Sequence, residues 1–179
     1  QLTQRLTVGT NAQFIYNTSQ RSPIGNQLSN PLFRGWFLPR DYDLKNEPWV
    51  RPDGTQVYFN NNTDNPYWTL RNNLYNDDRA RFIGNVNATF KFTDWLSYNG
   101  RLGTDLFTER RKTIDAIGAR GQANHSVAGV GAIGNRSIFR QETSIYNNLT
   151  AQRNLTDDLT MNVLVGNEIN IMRMLDQGV

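Results

Sequence analysis

Several features that would signal catalysis or metal binding are missing from this sequence. Its 179 residues include no cysteine and a single histidine, His125. Without cysteine there is no disulfide framework, no thiolate nucleophile and no cysteine-ligated metal. One histidine finds no partner in this chain for a zinc site or a serine-histidine pair. We therefore predict no metal and no cofactor, and we do not expect an enzyme.

Long apolar runs are also missing. No stretch approaches the ~20 apolar residues that a membrane-spanning helix needs, and the segment Gln1–Arg5 does not resemble a signal peptide. Proline is absent except between residues 23 and 66, where it occurs at Pro23, Pro31, Pro39, Pro48, Pro52 and Pro66. The remaining sequence therefore lacks the residue that most often interrupts a strand.

A strict alternation of apolar and polar residues runs from Arg79 to Arg111. Before the turn Thr93-Asp94-Trp95 the apolar residues are Ala80, Phe82, Gly84, Val86, Ala88, Phe90 and Phe92. After the turn they are Leu96, Tyr98, Gly100, Leu102 and Leu106. A period of two indicates strands with one apolar and one polar face. Both strands are longer than the usual five or six residues.

The same pattern predicts five strands and two long loops over residues 1–179. The strands are expected at about 2–16, 79–92, 96–111, 138–153 and 159–173, and the loops at about 17–78 and 112–135. Short turns that alternate with long loops are typical of outer-membrane barrels. The predicted fold is therefore all-β, with antiparallel up-and-down strands that form part of a large transmembrane β-barrel with long extracellular loops.

Five strands are too few to close a barrel around anything. Both edges would remain unpaired, which lipid does not tolerate, so we expect one section of a larger barrel. The alternative is a soluble β-sandwich or β-solenoid. A sandwich more often has shorter strands, with turns every 8–12 residues.

Residues 64–111 carry motifs in a recognisable order. They are Asp64-Asn65-Pro66-Tyr67-Trp68, Asn72-Asn73, Tyr75, the segment from Asp78 to Asn85, the turn from Thr93 to Ser97, and the segment from Arg101 to Asp105. This stretch resembles the SusC/RagA-type TonB-dependent transporters of the outer membrane. The rest of the chain is similar to that family in strand pattern only.

The resemblance implies a barrel of about 22 strands with an internal plug, in the outer membrane of a Bacteroidota-type bacterium. It further implies a SusD-like surface lipoprotein as partner, TonB as the energy-coupling partner, and oligosaccharides or peptides as the imported substrates. No plug or TonB box is recognisable in this sequence, so TonB would act through a plug that this chain does not contain.

The first long loop is rich in aromatic residues, which suit contact with sugar rings or with a partner protein. The candidates for a substrate or partner loop are Trp36, Tyr42, Trp49, Tyr58, Tyr67, Trp68 and Tyr75. A long loop also needs a small core of its own. We expect most of these rings to pack that core rather than to contact a ligand.

Charged residues on the polar faces of the strands are expected to face the barrel lumen. They are Arg79, Arg81, Arg101, Asp105, Glu109 and Arg140. They could line a solute path or contact the plug, although mutual ion pairing is the simpler expectation. The arginines lie near acidic residues and the apolar face is continuous, so we do not expect a nucleic-acid groove.

Two further alternatives remain. The segment Gly129–Gly134 matches the glycine spacing of a dinucleotide-binding turn, but a strand pattern follows it where a helix is required. The second alternative is a soluble extracellular β-domain that binds glycans through its aromatic-rich loop.

Overall fold

The computed structural model describes residues 4–24, 28–121 and 129–179. Within them the chain forms five long strands and two short helices. In chain order these are β1 (Leu6–Arg21), α1 (Pro31–Trp36), α2 (Pro66–Asn72), β2 (Leu74–Lys91), β3 (Leu96–Asp115), β4 (Ala132–Asn154) and β5 (Thr160–Gly178).

The strands form one antiparallel up-and-down sheet in the order β1-β2-β3-β4-β5. The all-β prediction and the antiparallel up-and-down topology are confirmed. The sheet is open, with β1 and β5 at its two edges.

The strands extend further than the sequence pattern predicts. Leu74–Asp78 and Ala132–Ser137 are strand, although they fall partly or wholly within the predicted loops, and β3 continues to Asp115. In Leu74–Asp78 and Ala132–Ser137 two consecutive apolar residues are followed by polar residues or glycine, so no alternation of period two marks these segments. The backbone ladder continues there because its hydrogen bonds do not depend on hydrophobic side chains.

The chain divides into two compact units. The sheet unit comprises Gln1–Tyr16, Arg79–Thr108 and Ile138–Asp176, and the loop unit comprises Asn17–Asp78, Glu109–Ser137 and Gln177–Val179. Both helices belong to the loop unit.

In the sheet unit, the register brings polar residues of neighbouring strands together. The Thr89 Oγ1 atom donates to Asn99 Oδ1 at 2.9 Å, and Asn99 Nδ2 donates to Asn148 Oδ1 at 3.0 Å. At the outer strand pairs, a Cβ atom on Gly9 would lie 2.7 Å from the Asn87 side chain, and one on Gly166 would lie 2.9 Å from Asn148. The alternating residues on the other side of the sheet must then also share one face.

We call that second side the apolar face. Its members include Val8, Phe14, Val86, Leu102, Leu149, Val163, Val165, Ile169 and Ile171, and every one of these side chains is exposed. Within the described part of the sheet unit, no helix or second sheet covers this face.

A few polar side chains on the apolar face bond to one another. The Tyr98 hydroxyl lies 2.5 Å from Asn147 Oδ1, and Asn147 Nδ2 donates to Asn167 Oδ1 at 3.4 Å. These partners lie on three successive strands, β3, β4 and β5. Their mutual bonding lowers the cost of placing them on an apolar surface.

The loop unit is organised around the buried carboxylate of Asp64. It accepts hydrogen bonds from Gln56 Nε2 (2.6 Å), the Arg120 amide (2.6 Å) and the Gly121 amide (3.1 Å), and from the Ser29 hydroxyl. One buried group therefore joins segments that are up to 57 residues apart in sequence. Both oxygens of this buried carboxylate are therefore hydrogen-bonded, which offsets the cost of its burial.

Local capping and turn signals explain the short elements of the loop unit. Asn30 and Asn65 are the N-caps of α1 and α2, and each helix begins with a proline. Between them, Trp49–Val57 forms a small hairpin in which the Arg51 amide donates to the Thr55 carbonyl at 2.8 Å. Its turn residue Gly54 has a φ of 84°, which glycine adopts readily.

Candidate functional site

The polar face of the sheet unit carries a chain of hydrogen-bonded amide and hydroxyl groups. The Thr89–Asn99–Asn148 series continues to Tyr146, whose hydroxyl accepts from Asn148 Nδ2 at 2.8 Å. These groups line or adjoin a hollow of about 560 Å³ that also contains Asn87, Arg101 and Glu168. The hollow therefore offers both donors and acceptors to a polar solute.

A neighbouring hollow of about 450 Å³ shares some of its lining residues with the first. Its lining residues include Asn85, Arg101, Gly103, Ser144 and Asn170. A Cβ atom at Gly103 would lie only 2.8 Å from Ser144 Oγ, so a larger residue would fill part of this space. Sequence alternation alone could not identify Gly103, because its importance depends on the strand opposite.

Two of the predicted lumen-facing charges form a close ion pair. Arg81 donates to Asp105 twice, at 2.9 Å from Nε and at 2.5 Å from a terminal nitrogen. Arg140 pairs with Glu142 beside them, and the Phe107 ring lines the same small hollow of about 160 Å³. The Arg79 guanidinium lies 5.3 Å from the centre of the Phe107 ring. The expected mutual pairing is therefore present on this face.

Arg101 differs from these arginines. It is exposed, it lines both large hollows, and no carboxylate lies within ion-pair distance of it in the described part of the chain. An exposed guanidinium with five donors is suited to a carboxylate, a peptide carbonyl or a sugar hydroxyl. Of the predicted charges in the sheet unit, Arg101 is the strongest candidate for contact with a solute.

Glu109, the sixth predicted lumen-facing residue, belongs to the loop unit. Its side chain is buried and forms an ion pair with Arg111, its neighbour two positions along β3. It is therefore a structural ion-pair partner rather than an exposed charge.

Three of the seven loop aromatics are core residues. Tyr58, Trp68 and Tyr75 are buried. The Tyr58 hydroxyl donates to the Arg34 carbonyl at 3.1 Å, and Trp68 Nε1 donates to the Gly54 carbonyl at 3.3 Å. Burial raises the pKa of Tyr58 to about 12. These rings cannot meet a ligand without unfolding the loop unit.

Tyr42 and Trp49 are half-buried. The Tyr42 ring packs edge-on against Tyr58 with centroids 5.6 Å apart, and the Arg71 guanidinium lies 5.9 Å from the centre of the Trp49 ring. Burial raises the pKa of Tyr42, and the nearby Glu47 carboxylate adds to the rise.

Trp36 and Tyr67 remain accessible, with exposed fractions of 88% and 42%. Leu32 precedes Trp36 by one helical turn on α1 and is 79% exposed, and Phe37 follows at 61%. We call Leu32, Trp36 and Phe37 the α1 patch. Leu32 is not aromatic, so the aromatic pattern of the loop did not predict it as a contact residue. The formation of α1 places it one helical turn before Trp36.

The glycine-rich segment and His125 were also candidates from the sequence. Ala132 begins strand β4 directly after Gly131, so the glycine-rich segment does not lead into the helix that a dinucleotide site requires. His125 lies outside the described residues. In the described ranges no cluster of acidic and histidine side chains has the spacing of a metal site, and no helix there is long and apolar enough to cross a membrane.

Comparison with known proteins adds no family. No protein-family model matches the chain, and no curated protein shows significant similarity to it.

Proposed function

We propose that this chain is a section of the wall of a TonB-dependent, SusC-like importer in the bacterial outer membrane. The observation that carries the proposal is the bare apolar face of the sheet unit, on the opposite side from a polar, hydrogen-bonded face. In water such a surface favours aggregation. Around a barrel it faces hydrocarbon, while the polar side faces the lumen.

Strand length supports the same proposal. β3, β4 and β5 contain 20, 23 and 19 residues. At ~3.3 Å per residue each extends to about 60 Å or more. Strands of that length cross a ~25 Å apolar band even when tilted by ~40°, and extend beyond it. The strands of an ordinary sandwich are much shorter.

The open edges support a larger assembly. β1 and β5 each have a neighbour on one side only, and unpaired backbone groups are costly in lipid. Further strands of the importer would satisfy these groups. A plug, absent from this chain, would occupy the lumen and transmit the action of TonB.

The substrate proposed from the resemblance is an oligosaccharide or a peptide. The amide and hydroxyl groups around Arg101 suit either one, because both present hydroxyl or amide groups that donate and accept. The α1 patch is the proposed contact for the SusD-like lipoprotein, since exposed aromatic and leucine side chains are typical of interface centres. In this proposal the chain forms part of the wall of a transporter and contacts the solute, and it does not catalyse a reaction.

Membrane fractionation tests the proposal. The proposal requires further strands at both open edges, so the complete importer that contains this chain is produced in a Gram-negative host. The outer membranes are then separated by density and washed with alkaline carbonate. We expect the importer to remain in the washed membranes and to be released only by detergent. Release into the wash as a monomer would contradict the proposal. Such a result would favour the alternative, a soluble extracellular domain that binds glycans. Binding to a glycan array would then test that alternative, and Trp36→Ala should abolish the binding.

A further inference from the structure

A cluster of cationic side chains surrounds a hollow in the loop unit. The hollow has a volume of about 320 Å³ and is lined by Arg110, Arg111, Lys112 and Arg136, together with Asn76, Asp78, Asn135 and Ser137. The residues come from β2, β3 and β4. The hollow is therefore bordered by more cations than carboxylates, and neither Arg110 nor Lys112 was among the candidate residues that the sequence indicated.

The ion pairing of these residues is uneven. Arg111 bonds to the buried Glu109 carboxylate. Arg110 and Lys112 are exposed, and in the described ranges neither has a carboxylate within ion-pair distance. They are two residues apart on one strand, so their side chains leave the same face. Two uncompensated cations on one face attract an anion.

We infer that this hollow binds a phosphate group. The Arg110 guanidinium can hold two phosphate oxygens at once, while the Lys112 ammonium acts as a point charge. The Asn76 and Asn135 amides and the Ser137 hydroxyl supply further donors at the same hollow. Asp78 opposes the anion, which favours a site of moderate rather than high affinity.

The position of the two cations in the sequence indicates one source of the phosphate. Arg110 and Lys112 occupy even-numbered positions of β3, as Leu102 and Leu106 do. The two cations therefore extend the same series of side chains along β3 toward the long loop. If the apolar face meets lipid, as in the proposed function, cations that continue the same series approach the headgroups of the outer leaflet. Phosphate-bearing headgroups attract such residues. The lipid source therefore rests on the proposed function, whereas the phosphate site itself does not.

The test compares two probes on the purified protein in a nonionic detergent. One probe is phosphatidic acid in the micelle, with phosphatidylcholine as the zwitterionic control, and the other is inorganic phosphate. Binding is measured by native mass spectrometry and by calorimetry. The variant is Arg110→Gln with Lys112→Gln. Its matched control is Arg40→Gln with Lys45→Gln, which removes two exposed cations of the loop unit outside the hollow.

We expect the Arg110/Lys112 variant to bind its phosphate probe roughly tenfold more weakly, while the control is unchanged. A loss confined to phosphatidic acid identifies a lipid headgroup, and a loss for inorganic phosphate identifies a soluble phosphate. The inference is overturned if the variant and the control bind both probes equally. The inorganic phosphate measurement remains informative even if fractionation disproves a membrane location.

A second variant separates charge from folding. Arg110→Lys with Lys112→Arg keeps both cations, so it should bind within about twofold of the parent protein. Circular dichroism confirms that each variant is folded. A folded charge-retaining variant that loses as much binding as the glutamine variant would overturn the electrostatic basis of the site.

Discussion

Replacing Val86 or Asn87 with arginine tests the proposal that the apolar face of the sheet meets lipid. The two residues are consecutive on β2, and both are exposed. Val86 is the middle member of the apolar series from Ala80 to Phe92 and belongs to the apolar face, whereas Asn87 lines the larger hollow of the polar face. Without a membrane the two substitutions would be nearly equivalent, because an exposed position loses little packing, typically less than ~0.5 kcal/mol.

In a bilayer the two substitutions should differ in their effect on the free energy of unfolding. An arginine on a lipid-facing strand costs about 2–4 kcal/mol near the bilayer midplane. That range corresponds to a roughly 30- to 700-fold change in the unfolding equilibrium constant. At Asn87 the new guanidinium stays in the polar hollow with Glu168 nearby, so we expect less than ~1 kcal/mol there.

The assay is urea unfolding of the protein in phospholipid vesicles, followed by tryptophan fluorescence. Val86→Arg should lower the free energy of unfolding by about 2–4 kcal/mol relative to Asn87→Arg. A repeat in mixed micelles of a short-chain detergent, which solvate charge more readily, should reduce the difference. Equal free energies for the two variants in vesicles would refute the assignment of the faces.

Three further predictions concern the loop unit. Asp64→Ala leaves the Gln56 amide and several backbone donors unsatisfied, at ~1–3 kcal/mol for each buried group, so it should destabilise this unit by about 3 kcal/mol or more in limited proteolysis. The exposed Asp41→Ala is its control, and equal protease sensitivity of the two variants would contradict the role of Asp64. Trp68→Ala should lower the free energy of unfolding by about 3–5 kcal/mol, because it removes a buried ring. Trp36→Ala should leave the free energy of unfolding nearly unchanged and weaken capture of the proposed lipoprotein partner in a pull-down. A large stability loss in Trp36→Ala would argue against an exposed contact. Burial raises the pKa of Tyr58 to about 12, above the ordinary value of 10.0, so the folded state holds this proton more tightly. The contribution of Tyr58 to the free energy of unfolding should be fully present below pH ~10 and be lost as the pH rises toward about 12. Ultraviolet titration should show late phenolate ionisation, to which Tyr42 also contributes because burial raises its pKa. Tyr58→Phe should lower the amplitude of this late phase, and an unchanged amplitude would exclude the assignment.

The sequence predicted the sheet well because strand alternation is a local property. Apolar residues at Phe82, Val86 and Leu102 repeat every second position, and the turn Thr93-Asp94-Trp95 fixes where the chain reverses. The five antiparallel strands and the common apolar face follow from that pattern. The strand end Leu74–Asp78 was not predicted because two consecutive apolar residues, Leu74 and Tyr75, precede three polar ones and give no alternation.

The candidate site was less predictable. Aromatic content in the loop could not separate Trp68, which is buried, from Trp36, which is exposed. That distinction depends on tertiary contacts, such as the hydrogen bond from Trp68 Nε1 to the Gly54 carbonyl. Likewise, ion pairing distinguishes Arg81 from Arg101 only once β2 and β3 are paired, because that pairing places Arg81 beside Asp105.

The sequence by itself determined an all-β chain of long two-faced strands joined by short turns and long loops, because the alternation of apolar and polar residues is a local property of the sequence. Only the tertiary structure decided which charges pair, which rings are buried and which cations remain uncompensated around the hollow of Arg110 and Lys112. Those properties depend on distances between residues far apart in the chain, and local side-chain pattern carries no information about such distances.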